Sequence, residues 1–327
     1  MWLSNALSAP LLSGEALHIP DGFLSVPVAL AAWLLTIGFI VAALRVTRGS
    51  LGERQVPLMG VLAAFIFAAQ AFNFPVAGGT SGHMLGGALA AILLGPWPAL
   101  LVMTAVIALQ GLLFQDGGLL AMGANIFLMG ILTVWVGYFA YQALVRVNRT
   151  LAAFVAGWLS VMAAAVLTAF LLALSGTAAL GVVLPAMAGV HALIGIGEGL
   201  ITAAAVALVA RALPGLFAEH AAGEKIAAGT WVSAGLVASI VVGVLAVFFA
   251  SGSPDGLERV AEDKGFLEAA QEPLFNIIPD YVFPGIGNEA LAGVVAMVLG
   301  TLLLFAVGYA IARALAQRQA RKAAGPQ

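Results

Sequence analysis

Apolar runs of the length that crosses a bilayer, about 20 residues, recur at roughly 27–45, 56–73, 97–114, 124–145, 151–174, 185–211, 230–250 and 289–312. Each predicts a transmembrane helix. A shorter apolar stretch, 83–94, ends at Gly95-Pro96-Trp97-Pro98 and predicts either a short ninth helix or a re-entrant segment. Two segments stand apart from this pattern: Leu17-His18-Ile19-Pro20-Asp21-Gly22-Phe23-Leu24 before the first run, and Gly78-Gly79-Thr80-Ser81-Gly82-His83 after the second. Both carry a histidine on backbone that the pattern leaves irregular.

The 327 residues are 62% hydrophobic and 9% charged. So few charges cannot cover a soluble domain of this length, and the chain is expected to be an all-α polytopic membrane protein. It has no cysteine, which excludes disulfides and any thiolate metal site. The net charge of −2 points to no partner, and nothing suggests nucleic acid. If 83–94 crosses, eleven of the thirteen basic residues fall on one side and only Arg259 and Lys264 on the other. The positive-inside rule then predicts nine crossings, with the N-terminus outside and the C-terminus inside. Both histidine segments lie outside in that arrangement.

Four parts are expected. Residues 1–16 lack the basic start and continuous apolar region of a secretory signal. They are expected either to be removed or to precede the true start at Leu17. Residues 17–211 form a bundle of about seven spans, 212–229 a cytosolic linker, and 230–327 two further spans around an external loop at 251–288.

A chain beginning at Leu17 has His18 as its second residue. Its free amine, the His18 amide nitrogen and the His18 imidazole then bind one ion in adjacent five- and six-membered rings. His83 is the natural fourth nitrogen. Square-planar nitrogen coordination suits Ni(II) or Cu(II). The plainer readings are an interfacial histidine for His18 and a helix-start histidine bonded to a loop carbonyl for His83. Gly82, Gly86 and Ala90 fit a small-residue packing stripe as well as a turn. His191 and Glu198, seven residues apart, are intramembrane ionisable groups, for which a role in passage competes with a buried hydrogen-bonded pair. Gln110, Gln115, Asp116 and Asn125 cluster at a turn, where solvation and capping is the simple expectation. His220 falls in the linker and is expected to be unimportant.

Six segments together resemble the CbiM/NikM family, the substrate-binding membrane components of energy-coupling-factor transporters for cobalt and nickel. They are His18–Ser25, Gly78–Gly86, Ala91–Trp97, Leu113–Leu119, Gly123–Phe127 and His191–Glu198. The resemblance implies a metal site made of the Leu17 amine, His18 and His83, with Ser81, Asn125, His191 and Glu198 as candidates for its surroundings or for the ion's passage. The Thr-Ser-Gly-His-Met-Leu form of the turn is more like nickel members than cobalt members. Pro254-Asp255-Gly256-Leu257-Glu258 resembles the PDGLE-type small membrane component, here fused. The implied function is nickel (next cobalt) capture in the cytoplasmic membrane of a bacterium or archaeon, with no covalently bound cofactor. The chain has no G-x-x-x-x-G-K-[ST] loop and only three lysines. It is therefore not expected to be the ATPase itself, and the resemblance implies a transport subunit, no enzyme, that works with two ATP-binding partner subunits and a coupling transmembrane subunit. Two other readings stand: an intramembrane serine protease built on Ser81 and His191, and an ion-coupled secondary transporter, for which Glu198 is the one intramembrane carboxylate.

Overall fold

In hydrocarbon every backbone N–H and C=O must find a partner inside the chain, so the long apolar runs fold as helices. The computed structural model describes residues 18–216 and 228–323. Leu17, His220 and most of the linker lie outside the described residues. In chain order the elements are α1 (Val26–Thr47), α2 (Gln55–Gln70), β1 (Phe74–Val76), β2 (Thr80–Gly82), α3 (Gly87–Leu94) and α4 (Pro96–Leu109). There follow α5 (Met122–Asn125), α6 (Thr133–Leu144), α7 (Arg149–Leu174), α8 (Leu180–Ala212), α9 (Ala228–Phe249), α10 (Gly256–Lys264) and α11 (Glu289–Ala323). Among the described residues seven helical stretches are long and apolar enough to cross a membrane, and α2, at 16 residues, is a shorter apolar helix. The chain is an all-α polytopic membrane protein.

The segment 83–94 is not one helix. Only Gly87–Leu94 is helical, eight residues or about 12 Å, against a hydrocarbon core of about 30 Å. The Asn73 carbonyl, just past α2, accepts from the Ser251 amide at 2.8 Å. The Leu113 carbonyl at the end of α4 accepts from the Ile278 amide at 2.9 Å. Both ends therefore reach the face covered by residues 251–288, and 71–95 must carry the chain back across. His83–Gly86 make the first part of that return as buried, non-helical backbone, which a membrane protein tolerates only in its interior. The small residues do not share one helix face, yet they do permit close packing: a Cβ on Gly82 would stand 2.6 Å from Ile194 Cγ2 and one on Gly86 2.7 Å from Ile66 Cγ2. Gly82 lies in β2, and Gly86 precedes α3 with φ +83°.

The two C-terminal spans are part of the same packed body. α9 and α11 both pack on α2, and small residues let them approach. A Cβ on Gly308 would stand 3.0 Å from the Met59 carbonyl, and one on Gly60 2.9 Å from the Phe305 carbonyl. α7 and α8 pair the same way at Gly199, where a Cβ would meet the Phe154 carbonyl at 2.7 Å. α1 stands at the rim, with Leu34 74% exposed toward lipid.

Candidate metal centre

The entry segment has no regular structure of its own, so its shape comes from the turn 115–125. Asn125 clamps Ile19 from both sides: its Oδ1 accepts the Ile19 N–H and its Nδ2 donates to the Ile19 carbonyl, each at 3.0 Å. Asp21 Oδ1 accepts the Ala121 N–H at 2.9 Å. Gly117, at φ +93°, and Gly118 let the two segments touch, because a Cβ on the first would lie 2.7 Å from the His18 Cβ and one on the second 2.2 Å from the Asp21 nitrogen. Both strands of this contact meet where helix geometry loosens, since α4 runs into a π-helical turn over Gln110–Phe114.

His18 is buried at 2% exposure. Its Nδ1–H donates to Asp116 Oδ1 at 2.6 Å and to the Asp116 carbonyl at 3.1 Å. Its Nε2 is buried with no hydrogen-bond partner. Asp116 Oδ2 accepts the Tyr281 hydroxyl at 2.6 Å, and Gln110 Nε2 donates to that same phenol oxygen at 3.2 Å. Burial disfavours charge on both His18 and Asp116, and each one's opposite charge outweighs it. The histidine is held above its usual value and the carboxylate below. Burial, then the Asp116 charge, push the Tyr281 phenol well above its usual range, so it remains a donor.

His83 comes from the other side. β1 and β2 pair antiparallel, with Gly78 and Gly79 at φ +86° and +72° making the turn. His83 Nδ1–H donates to the Met84 carbonyl at 3.1 Å, which leaves the lone pair on Nε2. The two rings face each other edge to face, with centres 6.2 Å apart. They share a cavity of about 70 Å³ with Asn125, His191 and Asp255. A larger cavity of about 430 Å³ on the other side of His18 is lined by Asp21, Asp116, Glu272 and Asp280, among others.

The remaining expected residues take structural positions. Glu198 accepts the Leu85 N–H at 2.6 Å and the Gly86 N–H at 3.1 Å, so it caps the start of α3. His191 Nδ1–H donates to the Met187 carbonyl at 2.8 Å. The expected His191–Glu198 hydrogen-bonded pair is therefore absent among the described residues. Ser81 Oγ donates to the Ser253 carbonyl at 2.8 Å, and its N–H donates to the Pro254 carbonyl at 2.8 Å. Neither partner is His191, so the serine–histidine pairing does not form. Solvation also fails as an account of Gln110 and Asp116, which are buried at 0% and 5% exposure. The sequence reading missed Asp116, Tyr281 and Asp255. Each sat in a segment that carries a resemblance, Asp116 in Leu113–Leu119, Asp255 in Pro254–Glu258 and Tyr281 in Ile278–Tyr281, but none of those segments pointed to the histidines.

Asp255, Gly256 and Glu258 in the run Pro254–Glu258 each have a physical reason, and the Pro254 backbone joins the run to β2. The Pro254 carbonyl receives Ser81 and Thr80. Asp255 accepts the Glu258 N–H at 2.7 Å and Glu258 reaches back to the Asp255 N–H at 3.3 Å, a capping box that starts α10. Gly256 seats α10 against α8, because a Cβ there would lie 2.9 Å from the His191 Cε1. Burial pushes the Asp255 carboxyl up to about 7, against the pull of the Glu258 and Leu257 amides.

Among the described residues no group of three or more His, Cys, Asp or Glu stands close enough to hold a metal ion. The two facing histidine rings by themselves fall short of such a group. The family described as "Cobalt uptake substrate-specific transmembrane region" matches residues 18–216. The chain belongs to this family. A PDGLE domain matches residues 229–317. The chain is 40% identical over 305 residues to the putative fused nickel transport protein NikMN of Archaeoglobus fulgidus, covering 91% of this chain and 98% of that one. It is 29% identical to the fused nickel transport protein NikMN of Rhodobacter capsulatus, over 89% and 95%. A solved structure titled as a truncated transition metal transporter superposes with a TM-score of 0.55 at 34% identity, covering 60% of this chain and 99% of that one.

Proposed function

We propose that the chain captures nickel, with cobalt the next-preferred ion, as the substrate-specific subunit of an ATP-driven energy-coupling-factor transporter. One observation carries the reading: His18 and His83 face each other across 6.2 Å over a small buried cavity, and His18 Nε2 there has no partner. Each imidazole has a hydrogen-bond partner through Nδ1, and two buried imidazoles that face one another suit a divalent ion. In a mature chain that starts at residue 17, its free amine and the His18 amide nitrogen complete a four-nitrogen set, which favours Ni(II) over zinc or magnesium. The relatives are named as nickel transport proteins, and the chain is a transport component with no catalytic role. The positive-inside rule puts residues 251–288 and the site outside the cytoplasmic membrane of a bacterium or archaeon, and the C-terminus inside. A coupling transmembrane subunit and two ATP-binding subunits drive the conformational change that releases the ion inward. Secondary transport is less well supported, because both Glu198 oxygens are occupied by backbone amides of the α3 start.

Calorimetric titration of the detergent-purified chain with Ni(II), Co(II) and Zn(II) tests this. Nickel should bind most tightly and cobalt next. Zinc binding as tightly as nickel contradicts the square-planar nitrogen site.

A further inference from the structure

The larger cavity beside His18 carries charge of one sign. Its wall holds the carboxylates of Asp21, Asp116, Glu258, Glu272 and Asp280, and no lysine or arginine. The first two come from the N-terminal bundle and the other three from 251–288, so the charge is assembled only where these regions meet. Asp21 and Asp116 are committed to hydrogen bonds within the protein. Glu272 and Asp280 are exposed at the rim, and among the described residues neither forms a hydrogen bond or ion pair. Burial, then the Asp116 and Glu272 charges, hold Asp280 above the usual carboxylate value, so these like charges are close enough to repel. An uncharged residue adds a separate observation. Asn73 lines the same cavity at 8% exposure, and its Oδ1 is buried with no partner. A buried amide oxygen without a donor is costly, and water bound to an ion supplies one.

We propose that this cavity is an outer waiting site for a hydrated divalent cation, held through its water shell by Glu272, Asp280 and the Asn73 oxygen. No three of the carboxylates stand close enough to grip a bare ion. Six waters at about 30 Å³ each fit within about 430 Å³, so the ion keeps its shell. Carboxylate, amide carbonyl and water suit hard divalent ions such as magnesium, calcium and manganese. The cavity therefore selects charge, and choice of metal falls to the histidines beyond it. His18 borders both this cavity and the smaller one, so an ion leaving the waiting site meets a candidate ligand. That role as first stop before capture rests on the nickel reading above. A cleft lined by one sign of charge raises the local concentration of the opposite ion and its association rate.

Titration of the full-length chain with Mn(II) in neutral detergent at low salt, followed by electron paramagnetic resonance, tests the site. One Mn(II) per chain should bind, and it should enhance water-proton relaxation because it keeps its waters. Glu272→Gln with Asp280→Asn should weaken this binding by at least about tenfold. Asparagine tolerates the Asp280 φ of +54°, so the double variant keeps the turn. Glu262→Gln with Asp263→Asn makes the same charge change on α10, outside the cavity wall, and should leave the affinity within about twofold. His83→Ala should leave it unchanged as well. Absence of bound manganese, an equal loss in the α10 pair, or a loss in His83→Ala overturns the waiting site. Stopped-flow nickel association should slow about three- to tenfold in the Glu272/Asp280 variant at low salt, and the difference should vanish at high salt. An unchanged rate overturns the role as first stop. A chain that holds manganese here and takes up no nickel overturns the nickel reading and leaves the outer site standing.

Discussion

The Tyr281 hydroxyl donates to Asp116 Oδ2 at 2.6 Å and joins the C-terminal region to the carboxylate that holds His18. Residues 251–288 are therefore not a solvated connection between two anchors, since one of their side chains reaches the partner of a candidate ligand. Tyr281→Phe removes a hydrogen bond to a charged group, an effect of about 1.5–3 kcal/mol. The loop should loosen, read as faster proteolysis within 265–278 in the variant, with the bundle's helical signal unchanged.

Gly256→Ala should weaken the same closure from the other side. The added Cβ would stand 2.6 Å from Ile194 Cδ1 and 2.9 Å from His191 Cε1. Overpacking of this kind costs about 1–3 kcal/mol. Thermal unfolding should occur at lower temperature in the variant, and Gly252→Ala, where nothing lies within 4 Å, should leave it unchanged.

Asp255 gives the closure a pH dependence of definite sign. Its carboxyl titrates near 3.8 when free and is pushed up to about 7 by burial. Between those values the folded state binds the proton that the unfolded state has released, so stability falls as pH rises. The contribution is complete below the free value and gone above the folded one. Amide hydrogen exchange in α10 should accelerate from pH 4 to 7 beyond the intrinsic rate, and Asp255→Asn should flatten that excess.

Glu198→Ala leaves two buried N–H groups of Leu85 and Gly86 without their acceptor. Each such loss costs about 1–3 kcal/mol. The variant should be markedly less stable, and Glu198→Gln, which keeps one acceptor oxygen, should fall between it and the unmodified chain. Equal stability of Glu198→Ala and the unmodified chain would remove the capping role.

Much of this architecture was legible in the residues because hydropathy acts along the chain. The eight long apolar runs fold as helices near their expected bounds, and the turn glycines Gly78 and Gly79 make the hairpin that leads to His83. The break inside 83–94 was not legible, because its cause, the Glu198 carboxylate, lies more than a hundred residues away. Asp116 was misjudged for the same reason. A polar residue in a glycine-rich turn reads as solvated until His18 and Tyr281 are brought to it. Cross-chain hydrogen bonds of this kind leave no periodic trace.

The central claim is that His18 and His83 together hold the captured ion, and nickel calorimetry on His18→Ala and His83→Ala tests it most directly. Both side chains lie outside the spanning helices, so each variant should keep the bundle's helical signal, and His18→Gln, less disruptive beside the buried Asp116, serves as a second variant should His18→Ala be unstable. Each should lose nickel binding by far more than tenfold, well above about 1.4 kcal/mol. An affinity within about threefold of the unmodified chain for either variant would contradict the account.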